Sequence, residues 1–329
     1  MNKIERVNAA ARGEAVDRVP VSMWGHDYQR EWTPEGLAQA MLDNYRAYDW
    51  DYMKVNPRAS YHVEDWGAKL VPSGNANEGP RFTDVPVKEQ GDWRRLRPLD
   101  PNKGVLGEQL QALKLIGSEL KGQAYFIQTI FNPLSVAKYL VGNTFEPVQT
   151  SIEDNPGALK AALEVITETF MAYAQATLEA GASGIFYATT GWASTDKLTV
   201  DQYRAFGMDY DHRLLEAFKR APFNVLHNCG DHIMFDLLAD YPVHAISWAA
   251  TFAGNPNLAE GKERTKAAVM GGINEKTTLL KGSAQQVADE AHAALELTGG
   301  RRVLLAGGCS IPPASPKANL EAVVQAVRG

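Results

Sequence analysis

A closed (β/α)8 barrel is the fold the sequence predicts. Two observations carry it: short apolar runs rich in β-branched and aromatic residues number eight, and helical patterns alternate with them along the 329-residue chain. No G-x-G-x-x-G follows the first run, so a doubly wound sheet, the rival fold, has no positive support.

The elements follow in order. MNKIERVNAAARGEAVDRVP opens the chain, and residues 1–18 read as a helical extension lying on the surface, with Ile4, Val7 and Ala11 on one side. This stretch carries acids and lacks an apolar signal core, so no secretory peptide is read and the protein is expected to be cytoplasmic. VPVSMW (19–24) is the first expected strand, and the pattern EGLAQAMLDNYRAY leads to the second, DYMKV (51–55). Residues 56–103 break the rhythm: they are polar and rich in Pro, Gly and Trp, and in a barrel they would lie over the catalytic end. AYFIQTI (124–130) follows, then the helical NPGALKAALEVITETFMAYAQATLEA and the strand GIFYA (184–188). DQYRAFGMDYDHRLLEAFKR precedes FNVLH (223–227), with HAISW (244–248) and AAVMG (267–271) close behind. SAQQVADEAHAALELT, RVLLAG (302–307) and SPKANLEAVVQAVR close the chain, and residues 1–329 are expected to form one domain.

Composition narrows the function classes. The chain is 45% hydrophobic and 22% charged with a net charge of −6, an ordinary balance for a globular protein. No basic stripe marks a nucleic-acid surface, and no apolar stretch is long enough to span a bilayer.

The two cysteines of the chain, Cys229 and Cys309, carry the chemistry. His227 ends the run FNVLH and Cys229 lies just beyond it, in HNCGDH; Cys309 lies just beyond RVLLAG, in GGCSIPP. Alone, each reads as packing. In a barrel, however, both loops belong to the rim that builds active sites, so closure brings the three side chains around one mouth. A disulfide is disfavoured in a cytosolic chain, and a metal is the better explanation. One imidazole and two thiolates suit zinc, and three protein ligands leave a fourth position open, the catalytic arrangement. Two thiolates weaken the ion as an activator of water and suit it to holding an incoming thiol as a nucleophilic thiolate. Asp231 and His232 are the candidate fourth ligands. For Asp231, capping of the helix IMFDLLAD or orientation of His227 is the preferred role.

The other strand ends nominate pocket residues: Trp24, His26 and Asp27, then Asn56 and Arg58, Gln128, Tyr187, Ser247, Trp248 and Asn274. His26, in the polar cluster G-H-D-Y, leads that group.

DRVPV, YHVEDWGA, AVMGGINEKTTLLKGSAQQVADEAHAAL and GGRRVLLAGGCSIPPASPKANLEAVVQAV resemble the uroporphyrinogen decarboxylase superfamily through most of the chain. The resemblance implies the same barrel. The departures point to one branch. Where the decarboxylases carry an arginine-rich M-R-Q-A-G-R stretch, this chain has SMWGHDYQREW, and where they have G-H-G it has Gly308-Cys309-Ser310. The pattern His-x-Cys followed much later by Cys resembles the zinc-dependent corrinoid methyltransferases, and His227, Cys229 and Cys309 match it. That resemblance implies methyl transfer between a corrinoid (methylcobalamin or a corrinoid protein) and a thiol such as coenzyme M, or demethylation of a small methylated substrate in the reverse sense. It leaves a homodimer open. Three rivals stand beside it: a cobalamin-independent zinc thiol methyltransferase with a folate donor, a decarboxylase or lyase of the parent superfamily, and a binding protein with a structural metal.

Overall fold

The computed structural model describes residues 1–328, and it bends one parallel sheet into a barrel. Nine strands occur among the described residues: β1 (Tyr52–Val55), β2 (Lys69–Val71), β3 (Arg81–Asp84), β4 (Tyr125–Phe131), β5 (Ile185–Ala188), β6 (Val225–Asn228), β7 (Ala245–Trp248), β8 (Ala268–Ile273) and β9 (Val303–Gly307). Seven of them form the parallel sheet, in the order β1-β4-β5-β6-β7-β8-β9. The remaining two, β2 and β3, form a separate antiparallel hairpin.

The stave that completes the barrel, the first in the chain, differs from the expected strand 19–24. It makes two isolated parallel bridges, Val21 with Leu305 and Gly25 with Ile311, rather than a continuous ladder. Pro20 has no N–H to offer a ladder. Its carbonyl nevertheless accepts from Leu305 N at 2.9 Å, and Ser22 N donates to Leu305 O at 3.2 Å. On the other side, Asp51 N donates to Val21 O at 3.0 Å and Ser22 Oγ to Tyr52 O at 2.8 Å. The segment therefore joins β9 to β1 and closes the barrel.

The strands of the parallel sheet are buried on both faces, so alternation sorts side chains between two apolar environments. Tyr52, Ile127, Phe186, Ala188, Val225, Ala245, Ala268, Met270, Leu304 and Ala306 share one cluster with Trp24 in the lumen. Their sequence neighbours face the surrounding helices, of which Pro156–Glu179 is the longest.

The first helix, Lys3–Ala11, corrects the surface expectation. Val7 is fully buried and joins the lumen cluster, and Arg6, Ala9 and Ala10 are buried with it, whereas Ile4 and Ala11 are only half-buried. Small alanines let this helix approach closely, so it plugs the barrel rather than resting outside. Asp51, with no exposed surface, ties it down. Its carboxylate accepts from Arg6 Nη1 at 2.8 Å, Arg18 Nη1 at 2.6 Å and Val21 N at 2.8 Å.

Residues 56–103 hold small elements of their own: the helix Tyr61–Glu64, the hairpin, and a 3-10 turn over Gln90–Arg95. Buried Trp93 anchors the stretch through Nε1 to Ser151 Oγ at 2.9 Å. Phe82 of β3 packs on Tyr139, their ring centroids 6.3 Å apart. The loop joining β2 to β3 brings Gly79 against the ring of Tyr28, just past the first stave.

Candidate metal centre

His227 lies on β6 with its side chain in the lumen, beside the ring of Phe186 at a centroid separation of 5.1 Å. Ladder register sets Ser247 of β7 opposite it, and Nδ1 meets Ser247 Oγ at 3.1 Å. With that bond made by an Nδ1–H tautomer, Nε2 keeps its lone pair for a metal.

Beyond β6 the chain turns sharply at Gly230, whose φ of +101° suits only glycine without strain. The turn is pinned by Asn255 Nδ2 donating to Gly230 O at 2.9 Å and Asn228 Nδ2 donating to Ala193 O at 3.1 Å. Cys229 is thereby held against Cys309 from the far side of the mouth. A side chain at Gly308 would meet Ala249 Cα and Glu275 Oε2, each at 2.9 Å, so glycine is what lets the Cys309 loop settle there.

The donor atoms of His227, Cys229 and Cys309 lie within 4.8 Å of one another. The two sulfurs are 3.7 Å apart, and Cys309 Sγ is 3.5 Å from His227 Nε2. Tetrahedral zinc at ordinary bond lengths sets two sulfurs about 3.8 Å apart and sulfur from nitrogen about 3.6 Å. The residues fit a zinc ion. The hydrogen bond from Cys309 pulls Cys229 down to about 7, while the same contact and burial hold Cys309 well above the usual thiol range. Lys276 and Lys138 add to the pull on Cys229, and Glu275 opposes it.

Glu275 was not singled out in the sequence. It lies two residues past β8, is 1% exposed, and neither carboxylate oxygen has a hydrogen-bond partner. Such an orphan is costly unless something pairs with it, and its contact with the Gly308 position sets it beside the thiols. It borders the centre but lies outside the set of three whose donor atoms all fall within 4.8 Å of one another. Lys54 of β1 is the second omission, a lysine inside the lumen with 6% exposure. Burial pushes its ammonium down to about 7, with Cys309 and Glu31 acting in the opposite sense. A lysine in the middle of the apolar run DYMKV was its signal.

Asp231 is corrected on both preferred roles. Its Oδ1 accepts from His232 N at 2.9 Å, its carbonyl accepts from Ser194 Oγ at 2.7 Å, and Ser247 orients His227 instead. The helix Phe235–Leu238 has Met234 at its N-cap and no side-chain cap. His232 is exposed and pairs with Asp196, Nδ1 to Oδ1 at 2.9 Å.

The pocket nominations divide. Trp24 faces the lumen, edge-on to Phe186 at 5.3 Å, and Ser247 faces His227. Asn56 is buried and accepts from Lys54 Nζ at 2.6 Å. His26 holds Glu31 through Nδ1 at 2.8 Å, while Asp27 serves Arg30. Arg58 is buried but committed to Glu64, Nε to Oε1 at 2.7 Å. Gln128, Tyr187 and Trp248 face away from the lumen: they bond Tyr173 OH, Asp211 Oδ1 and the Pro256 carbonyl among the outer helices and loops. Their strand parity is opposite to that of His227. Asn274 is also a correction, since its Oδ1 accepts from Lys276 N and Thr277 N and shapes its own turn.

A family model described as uroporphyrinogen decarboxylase (URO-D) matches residues 2–329. The chain belongs to this family. Among curated relatives, the methylcobamide:CoM methyltransferase MtaA of Methanosarcina barkeri is 27% identical over 98% of this chain and 96% of its own length. MtbA of Methanosarcina acetivorans, a methylcobamide:CoM methyltransferase, is 24% identical over 98% and 97%. A uroporphyrinogen decarboxylase of Klebsiella pneumoniae reaches 32%, but over 44% of this chain and 41% of its own. Among solved structures, a methyltransferase from Methanosarcina mazei superposes with a TM-score of 0.83 at 26% identity, covering 99% of this chain and 98% of that one. A B12-independent methionine synthase from Shewanella, at a TM-score of 0.61 and 15% identity, shares the fold.

Proposed function

We propose that this member of the family is a methyltransferase that moves a methyl group between a corrinoid and a thiol such as coenzyme M, using zinc held by His227, Cys229 and Cys309. One observation carries the reading: three donors from opposite sides of the barrel mouth lie within 4.8 Å of one another, with Cys309 at tetrahedral zinc separations from both others. Full-length likeness to two methylcobamide:CoM methyltransferases supports the choice of reaction. Zinc, when bound there, keeps a thiol in its nucleophilic thiolate form at neutral pH. The corrinoid, free or carried by a partner protein, supplies the methyl group.

The protein's own residues divide the remaining work. Ser247 orients the imidazole, and the unpartnered Glu275 carboxylate beside the Cys309 loop would be the fourth donor to a bound zinc. Phe186 and Trp24 wall the lumen and keep water from it. The arginines near the exit of the first stave are engaged elsewhere, Arg30 with Asp27 and Asp43 and Arg58 with Glu64. A polycarboxylate substrate would therefore find no free guanidinium there, which weighs against decarboxylation.

Purified protein is expected to hold about one zinc per chain and to lose most of it on Cys309→Ala. Mixed with methylcobalamin and coenzyme M, the zinc form should bleach the methyl-cobalt band, and the variant should not. Zinc at full occupancy with no bleaching by any thiol, but demethylation of a small substrate when cobalt(I) is supplied, reverses the direction. Turnover only with a methylated folate would move the protein to the corrinoid-independent class. A preparation without zinc, unchanged by Cys309→Ala, overturns the site.

A further inference from the structure

Lys54 is the unusual charge in this barrel. It sits inside the lumen on β1, and no carboxylate comes within ion-pair distance of its Nζ among the described residues. Its hydrogen bond goes to Asn56 Oδ1 at 2.6 Å, and its Nζ lies 4.8 Å from the centroid of Phe186. Phe186 is also the ring that stacks beside His227. The lysine and the candidate metal centre therefore share one aromatic wall. The charged groups that bear on it are Cys309, from the loop after β9, and Glu31, from the loop after the first stave. Glu31 is itself committed to His26.

Charge counting gives this placement a purpose. Two cysteine thiolates balance one divalent ion, which leaves no cation at the centre to balance a further anion beside the buried Glu275 carboxylate. A thiol that binds as its anion adds one negative charge in a buried lumen, where an unbalanced charge is expensive. A proton retained nearby offsets that charge. Resting on the reading of a zinc thiol methyltransferase, we propose that Lys54 Nζ accepts the proton of the substrate thiol and holds it as the counter-charge to the bound sulfur. In that step the S–H bond breaks, its electron pair stays on sulfur, and an N–H bond forms on the amine. Asn56 Oδ1 then accepts from the ammonium, and the Phe186 face stabilises it.

Other bases in the mouth fit less well. His26 is engaged with Glu31. His62 is enclosed by Phe131 and Tyr139 with neither ring nitrogen partnered, and burial drives its protonation far below the usual histidine range. Lys138, pushed down to about 8 by burial, lies over Phe145 on the Cys229 side and is the rival acceptor.

The test is calorimetric titration of zinc-loaded enzyme with 2-mercaptoethanesulfonate in buffers of different ionisation enthalpy, which counts protons released. With Lys54 near 7 and an ordinary thiol, wild type should release about one proton per thiol at pH 6 and close to none at pH 8. At pH 6 the lysine is already charged, so the thiol proton leaves; at pH 8 the neutral amine takes it. Lys54→Met and Lys54→Arg should each release close to one proton at both values, since neither side chain can accept it. Release of one proton by wild type at pH 8 overturns the proposal without any variant. So does a Lys54→Met or Lys54→Arg enzyme that binds thiol yet still releases none at pH 8, which would pass the role to Lys138. Zinc-loaded enzyme that binds no thiol at either pH overturns the thiol-transferase reading itself, and this inference with it.

Discussion

At the scale of single residues, a zinc centre at His227, Cys229 and Cys309 would depend on the side chains that hold these donors as much as on the donors themselves. Ser247 is the clearest case, because its Oγ is the partner of His227 Nδ1. Losing such a partner frees the ring to rotate and to change tautomer, with a typical cost of about 10–100-fold in metal affinity. Ser247→Ala should weaken zinc binding by that amount in a chelator competition, while Asp231→Asn leaves it within twofold. Equal effects from the two would mean that Ser247 does not orient the ring. Glu275→Gln keeps the shape but removes the anionic donor, so it should also weaken the thiol-free centre. Its effect should shrink once a thiol occupies the fourth position, which separates a displaceable ligand from a structural carboxylate.

At the scale of elements, strand parity decides which residues meet, and it explains what the sequence could and could not reveal. His227, Cys229 and Cys309 were legible because the residue types are rare and each sits at a strand exit. Gln128, Tyr187 and Trp248 misled because strands apolar on both faces show no alternation of polarity. Register supplies the missing information: Ala188 pairs with His227 and His227 with Ser247, so Tyr187 and Trp248 must face outward. Lys54 and Glu275 were missed because their importance lies in burial without an ion-pair partner, which only the folded chain shows. The small helix Tyr61–Glu64 carries a related prediction through buried His62. Its imidazole is held neutral in the folded state and protonates near 6.5 when unfolded. Below about 6.5 the unfolded chain therefore binds the extra proton, and stability falls as pH drops; above it both states are neutral and no contribution remains. His62→Phe should flatten the loss of denaturation midpoint between pH 6.5 and 5 relative to wild type. An unchanged slope would show that His62 protonates in place.

For the whole molecule, the remaining question is what keeps a barrel closed when one stave is only two bridges. The ladder at 19–25 is too sparse to do so alone, and the first helix brings an arginine into the same corner. Asp51 joins these parts: Arg6, Arg18 and the Val21 amide all converge on a carboxylate with no exposed surface. Removing one member of a buried charged network leaves its partners without compensation, typically at about 3–5 kcal/mol. Asp51→Ala should therefore lower the unfolding free energy by that much, read as a lower urea midpoint at unchanged m-value, as expected when stability rather than cooperativity is lost. The clamp fixes the start of β1 and the entry to the first stave, whereas His227 and the cysteines lie at strand exits. Zinc content of the folded variant should then match wild type. A stability loss below about 1 kcal/mol would assign closure to apolar packing of Val7, Val21 and Tyr52 instead. Loss of zinc from the still-folded variant would show that the two ends of the barrel are coupled, and that closure at one end sets the spacing of the ligands at the other.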